Sequence, residues 1–281
     1  MIKKILARIW ILILSLYYFI KFICRMRAYA FEDSLIDICM TSHGKRIYFM
    51  PIAIEALMSA NKRPNRFFVT LDLTEKMTFA KAFFIRRLAS FGINIIYGES
   101  LGPHCKYIHY LNSHWSRERS FAVFDDDAIY RSDIFEGLVN EAALNPELNI
   151  CMRSQTIGLN DNEISPYNSW AFNNLKRTSV KNFATGVGGV LVCSKFAGIV
   201  QKLQKKFLDS CPQNDDIWFH WISVFYDIPY RQCRNEFYTP DIIPFSQGLA
   251  LHKTNRSGQN DIQVKNTYCT KSIQVLNNAT F

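Results

Sequence analysis

From Leu35 to Arg153 short apolar runs alternate with longer stretches of helical period, and no other feature constrains the fold of this chain as tightly. Strands are expected at Leu35–Thr41, Phe67–Leu71, Ile93–Tyr97, Phe121–Phe124 and Asn149–Arg153. Between them the periodicity predicts helices over about Ile47–Ala60, Thr78–Ser90, Lys106–His114 and Ser132–Leu144. Phe91-Gly92 closes the second of these in the manner of a C-terminal glycine cap. Such alternation builds right-handed crossovers, and so an α/β fold with a mostly parallel sheet flanked by helices. Ligands collect at the carboxyl ends of the strands in sheets of this kind, which singles out Thr41, Asp72 and the run Asp125–Asp127. The second half has longer loops, an apolar run at Val187–Cys193 and helices near Lys195–Leu208 and Ile217–Phe225, and reads as an elaboration of the same domain.

The N-terminus differs in character. Ile9 to Ile20 is interrupted only by Ser15 and flanked by Arg8 and Lys21. That core is short for a membrane span, but snorkelling of the two flanking cations extends it to Ile5–Cys24. A helix lying in the interface, with Trp10, Tyr17 and Tyr18 at headgroup depth, fits equally. No small-x-small site precedes Lys21, which disfavours a cleaved signal peptide. Residues 1–30 are therefore expected to be membrane-associated, and 31–281 to form the folded domain. The formal charge of +9 invites a nucleic-acid reading, yet six of the basic residues and no acid fall in residues 1–30. The remainder carries 27 basic and 24 acidic residues, so the excess suits anionic lipid and no nucleic-acid partner is expected. The eight cysteines show no Cys-x-x-Cys pair, and several sit in apolar runs, as free thiols of a reducing compartment do.

The chemistry is concentrated where the fourth strand runs into Asp125-Asp126-Asp127. Three adjacent carboxylates at the end of a buried strand repel one another, and a divalent cation with hard oxygen ligands removes that cost while also holding a diphosphate. Strand alternation places Asp125 and Asp127 on one side and Asp126 on the other. A second feature, Ala184-Thr185-Gly186-Val187-Gly188-Gly189-Val190, lets backbone approach a ligand closely, with Gly188 and Gly189 facing it. A third, Gln213-Asn214-Asp215-Asp216, precedes an apolar helix. There one aspartate is expected to cap the helix, which leaves the other free for chemistry. Asp37 lies inside its strand, which argues against a phospho-aspartyl enzyme built on the first strand.

With these residues in view the chain resembles GT-A glycosyltransferases, in particular bacterial enzymes of the family 2 type. The first strand ends in Thr41-Ser42-His43-Gly44-Lys45-Arg46-Ile47, Gly102-Pro103-His104-Cys105-Lys106 precedes the aspartate strand, and Asp125 to Tyr130 reads Asp-Asp-Asp-x-x-Tyr. The likeness runs from about Ile36 to Asp261. It implies a nucleotide-sugar donor, with Thr41 and Asp72 near base and ribose, Lys106 at the diphosphate and one of Asp125 and Asp126 at the ribose. It further implies Mn²⁺ or Mg²⁺ held by Asp127 and Asp125 and completed by the late histidine His252, with Lys253 and Arg256 offsetting the leaving group's charge. Asp216 or Asp215 would deprotonate a saccharide or lipid-linked acceptor in surface polysaccharide synthesis, at a bacterial inner membrane with the domain in the cytoplasm. Two alternatives stand beside it: a sugar nucleotidyltransferase, of which Ser42–Arg46 offers a thin phosphate loop, and a non-catalytic membrane-associated binding protein.

Overall fold

The computed structural model describes residues 2–160, 163–246 and 258–279. Its centre is an eight-stranded sheet. The strands are β1 (Ile36–Ser42), β2 (Phe67–Asp72), β3 (Asn94–Gly98), β4 (Ser120–Val123), β5 (Asn149–Cys151), β6 (Thr178–Ser179), β7 (Val190–Val192) and β8 (Tyr230–Gln232). They lie in the order β6-β8-β5-β7-β4-β1-β2-β3. β4, β1, β2 and β3 are parallel neighbours, and β8 is parallel to β5. β7 and β6 run antiparallel to the strands they meet. The mostly parallel sheet expected from the sequence is therefore present, with β7 inserted between β4 and β5.

Helices cover both faces. They are α1 (Ile2–Ile23), α2 (Met50–Leu57), α3 (Phe79–Ser90), α4 (Ile108–Ser113), α5 (Asp133–Leu144), α6 (Ser194–Leu203), α7 (Asp215–Phe225), α8 (Asn260–Thr267) and α9 (Thr270–Asn278). The expected helix over 47–60 is shorter, because Gly44–Tyr48 forms a 3-10 turn first and Pro51 fits only the opening turn of α2. Thr78 caps α3 by accepting the Lys81 N–H, and Gly92 closes it at a φ of +94° that favours glycine.

Two apolar cores lie on opposite faces of the sheet. Tyr107, Phe121, Phe183, Phe196 and Trp218 belong to one, and Ile38, Phe67, Phe124, Phe135 and Leu191 to the other. At the amino end of β1 the fully buried Asp37 is held by Arg66, Arg119 and the Tyr110 hydroxyl. Burial pushes its carboxyl up, but the two guanidiniums and the phenol hold it below its ordinary value. This cluster lies at the far end of the strand from Thr41 and Ser42, and ties β1 to the loops after residues 60 and 115. Five of the eight thiols are buried and all are free.

Candidate active site

The site assembles where β1, β4, the glycine turn before β7 and the start of α7 meet. It depends first on the segment Gly102–Lys106, which forms a 3-10 turn. His104 within it is fully buried, stacks on Phe207 at 3.7 Å and has Nε2 2.8 Å from the Cys211 carbonyl. Burial lowers its pKa to about 4, so it is a neutral tether at pH 7. Pinning this turn to the chain just before α7 carries Lys106 to the helix start. Lys106 Nζ lies 2.8 Å from Asp125 Oδ1 and 2.9 Å from Asp215 Oδ2. Burial opposes its charge, but Asp125, Asp215 and Asp216 hold it protonated.

The opening of α7 departs from expectation. Neither aspartate caps the helix: Asn214 does, its Oδ1 accepting the Ile217 N–H at 3.0 Å. Asn214 is itself held by Asn260 of α8 at 2.9 Å. Both carboxylates are thereby freed for the site. Asp215 pairs with Lys106, while Asp216 Oδ1 accepts the Gly186 N–H at 2.8 Å. Burial and then the Asp215 charge push Asp216 up to about 8.

The aspartate run also differs from the alternating pattern. β4 ends at Val123, and Asp126-Asp127 form a turn before the short strand Ala128–Ile129, so extended-strand alternation no longer applies. Asp125 turns to Lys106, whereas Asp126 and Asp127 both face Arg46. Arg46 Nη1 lies 3.1 Å from Asp126 Oδ1, and Nη2 bonds Asp127. Burial pushes Asp125 up, but Lys106 holds it below its ordinary value; Asp126 is raised by burial despite Arg46. In the sequence Arg46 is visible only as a letter of the Thr-Ser-x-x-x-Arg-Ile segment. Its role rests on a partner 81 residues away, which no local pattern reveals.

The glycine turn is shaped by its neighbours. Gly189 has a φ of +91°, and a Cβ there would lie 2.5 Å from the Phe124 ring. A Cβ on Gly188 would meet the Arg153 side chain, and one on Gly186 would meet Asp216 Oδ1 at 3.2 Å and Lys106 Nζ at 3.5 Å. Gly186, which the sequence does not set apart from its neighbours, is thus the glycine beside Asp216 and Lys106. The other two expected residues stand on the same strand edge but in local bonds. Thr41 Oγ1 donates to the Thr70 carbonyl at 2.9 Å, and Asp72 accepts from the Thr74 N–H and hydroxyl at 2.7 and 2.8 Å. His252, Lys253 and Arg256 lie outside the described residues.

Among the described residues the five carboxylates Asp125, Asp126, Asp127, Asp215 and Asp216 face Lys106, Arg46 and Arg153, with His43 also acting on Asp126. Among the described residues the buried Asp126 Oδ2 makes no hydrogen bond of normal geometry, although the Ser42 hydroxyl is close enough to favour the Asp126 carboxylate. In charge and donor type this set of carboxylates fits a hard divalent ion. Among the same residues, however, no three side chains already converge as a ligand set. Beyond the aspartate turn a cleft of about 390 Å³ is lined by Arg131, Glu236, Phe237, Tyr238 and Asp241, among others.

No protein-family model and no curated protein matches this chain. Among solved structures it is similar to 4-diphosphocytidyl-2C-methyl-D-erythritol synthase from Anaerococcus prevotii DSM 20548, at 12% identity and a TM-score of 0.46, covering 80% of this chain and 96% of that one. It is likewise similar to CMP:2-keto-3-deoxy-manno-octonic acid synthetase complexed with CTP, at 12% identity and a TM-score of 0.46, covering 81% of this chain and 100% of that one.

Proposed function

We propose that this chain is a nucleotide-sugar-dependent transferase, and that it moves the sugar to a saccharide or lipid-linked acceptor. The observation that carries this reading is Asp216, held by the Gly186 N–H at 2.8 Å and raised to about 8 at the mouth of a glycine turn. A carboxylate of that basicity is matched to taking a proton from an acceptor hydroxyl near neutral pH. The anchored oxygen leaves the other to face the acceptor, and the glycines leave room for a sugar above it. Lys106, fixed between Asp125 and Asp215, supplies a protonated amine for donor phosphate, and Arg46 adds a planar guanidinium on the other side of the aspartate turn. Asp125 and Asp127 would hold a manganese or magnesium ion, which supplies electrostatic stabilisation to a leaving diphosphate when bound.

Nucleotidyl transfer is the second reading, favoured by one observation: Arg46, in the turn that follows β1, faces the aspartates. The two synthetases named above bear on the fold alone and do not choose between the readings. Against nucleotidyl transfer, the Gly44 N–H, which a triphosphate loop would offer to phosphate, donates to the Glu75 carboxylate at 2.8 Å.

The test is thermal stabilisation of the intact protein by UDP, GDP, CDP and dTDP, each with and without manganese, beside Asp127→Asn. A ligand at about one hundred times its dissociation constant should stabilise by about 2.7 kcal/mol. Stabilisation by one diphosphate that needs the metal and is lost in the variant supports the donor site. A folded protein that responds to none of them contradicts it.

A further inference from the structure

α1 is apolar enough for a span: Ile5–Ile23 has a mean hydropathy of 1.8 over 19 residues. Its packing points elsewhere. From Ile11 onward one face of the helix lies on the folded domain. Ser15 and Phe22 are buried, and Leu14, Tyr18 and Phe19 pack against the same core as α2. Lys21 donates to Ser59 at 2.6 Å, and Arg25 clamps the fully buried Glu55 through contacts of 2.6 and 2.9 Å. Arg87 of α3 caps the C-terminal end of α1, bonding the carbonyls of Phe22, Ile23 and Arg25. Ile11 to Ile23 is ~20 Å of helix at 1.5 Å per residue. Ile2–Trp10, roughly 13 Å, precedes the packed part of α1, against a hydrocarbon core of ~30 Å. A rod crossing the bilayer would drag α2 and the Glu55 ion pair into lipid or tear them from α1.

The opposite face of α1 is an apolar strip, with Leu6, Ile9, Trp10, Ile13, Tyr17 and Ile20 exposed. It continues onto α3. Phe84 packs on Phe19 and Phe22, and Phe83 next to it is 45% exposed, with Phe79 one turn earlier at 91%. Exposed Lys3, Arg8, Arg27, Lys76 and Arg86 belong to the same two elements and their flanks.

We propose that α1 does not cross the membrane but lies in its plane, and that the outer stripe of α3 docks beside it on the same anionic lipid surface. The basic residues meet the headgroups while Trp10, Tyr17, Phe79 and Phe83 enter the interface. The face reaches the site: Tyr48, in the turn that carries Arg46, packs on Phe84 and its hydroxyl lies 3.0 Å from Thr78 Oγ1 at the start of α3. The reaction edge then sits at the lipid surface, where a lipid-linked substrate is presented. That last step rests on the proposed transferase reading, whereas the membrane geometry does not. The two are measured separately, so either can fail alone.

The intact protein is added to preformed sealed vesicles of phosphatidylcholine, alone or mixed equally with phosphatidylglycerol. Binding should be stronger on the anionic vesicles. A Lys3→Cys substitution in a Cys24→Ser, Cys269→Ser background should be labelled completely by an impermeant maleimide from outside. Phe79→Ser with Phe83→Ser should weaken binding by about tenfold or more, from the loss of two exposed rings, with an unchanged melting temperature. Protection of the thiol introduced by Lys3→Cys until detergent is added would mean a spanning helix and overturn the proposal. Failure to bind either vesicle would also overturn it, as would full binding by the double phenylalanine variant.

Discussion

The Gly186 backbone N–H donates to Asp216 Oδ1 at 2.8 Å, so the carboxylate raised to about 8 is also the one aimed by the glycine turn. On the proposed reading Asp216 must be ionised to accept a proton. Turnover should therefore rise with pH and level off above about 8. Asp216→Asn should lower turnover by ~10²–10⁴-fold while leaving nucleotide-induced stabilisation in place. Initial rates and melting curves across pH check both halves.

Folding should respond to the same group in the opposite sense. The ordinary value is 3.8 and the folded one about 8. Between those values the folded chain keeps a proton that the unfolded chain releases, so this group's contribution to stability falls as pH rises through that window. Asp216→Asn should flatten that fall in denaturant midpoints measured between pH 5 and 8.

Arg46 bridges Asp126 and Asp127, and Asp126 is 1% exposed. Arg46→Ala takes the guanidinium away from that buried carboxylate, and should cost about 3–5 kcal/mol. Arg46→Lys should recover only part of it, because an ammonium cannot make the forked contact. Chemical denaturation of the two variants measures the difference, and added manganese should narrow it if the carboxylates take up the ion.

How much of this is legible in the sequence depends on the range of the interactions. β1 to β4 and α3 can be read closely, because each is an apolar run closed by local signals such as the Thr78 cap and Gly92, whereas α2 is cut short by the Gly44–Tyr48 turn before it. β7 shows only as an apolar run, and β8 and the C-terminal helices α8 and α9 not at all. Three-residue strands such as Val190–Val192 and Tyr230–Gln232 have too few positions for a period, and exist because neighbouring strands complete their hydrogen bonds. In the site, Asp125, Asp127, Asp215 and Asp216 stand out by type and position, and Lys106 only through the family resemblance. Their pairings do not: that Asn214 frees both aspartates follows from a cap oriented by Asn260, and Arg46 reaches its carboxylates only in the folded chain.

At the other end of β1, Asp37 is a structural charge. Its folded value lies below 3.8, so the stability it contributes is present above that pH and lost as pH falls through the lower folded value. Asp37→Ala leaves Arg66 and Arg119 without their buried partner and should destabilise by about 3–5 kcal/mol at neutral pH. The loss should shrink on acidification, which urea titrations at pH 7 and pH 3 test.

The most direct test of the account follows the products. The intact protein is incubated with manganese and a panel of nucleotide-sugars, and in parallel with nucleoside triphosphates plus free sugars. Release of a nucleoside diphosphate from one nucleotide-sugar, accelerated by acceptor lipid or oligosaccharide and abolished in Asp216→Asn, is the predicted result. Release of pyrophosphate from a triphosphate and a free sugar, with nucleotide-sugars left intact, would contradict glycosyl transfer and assign the site to nucleotidyl transfer.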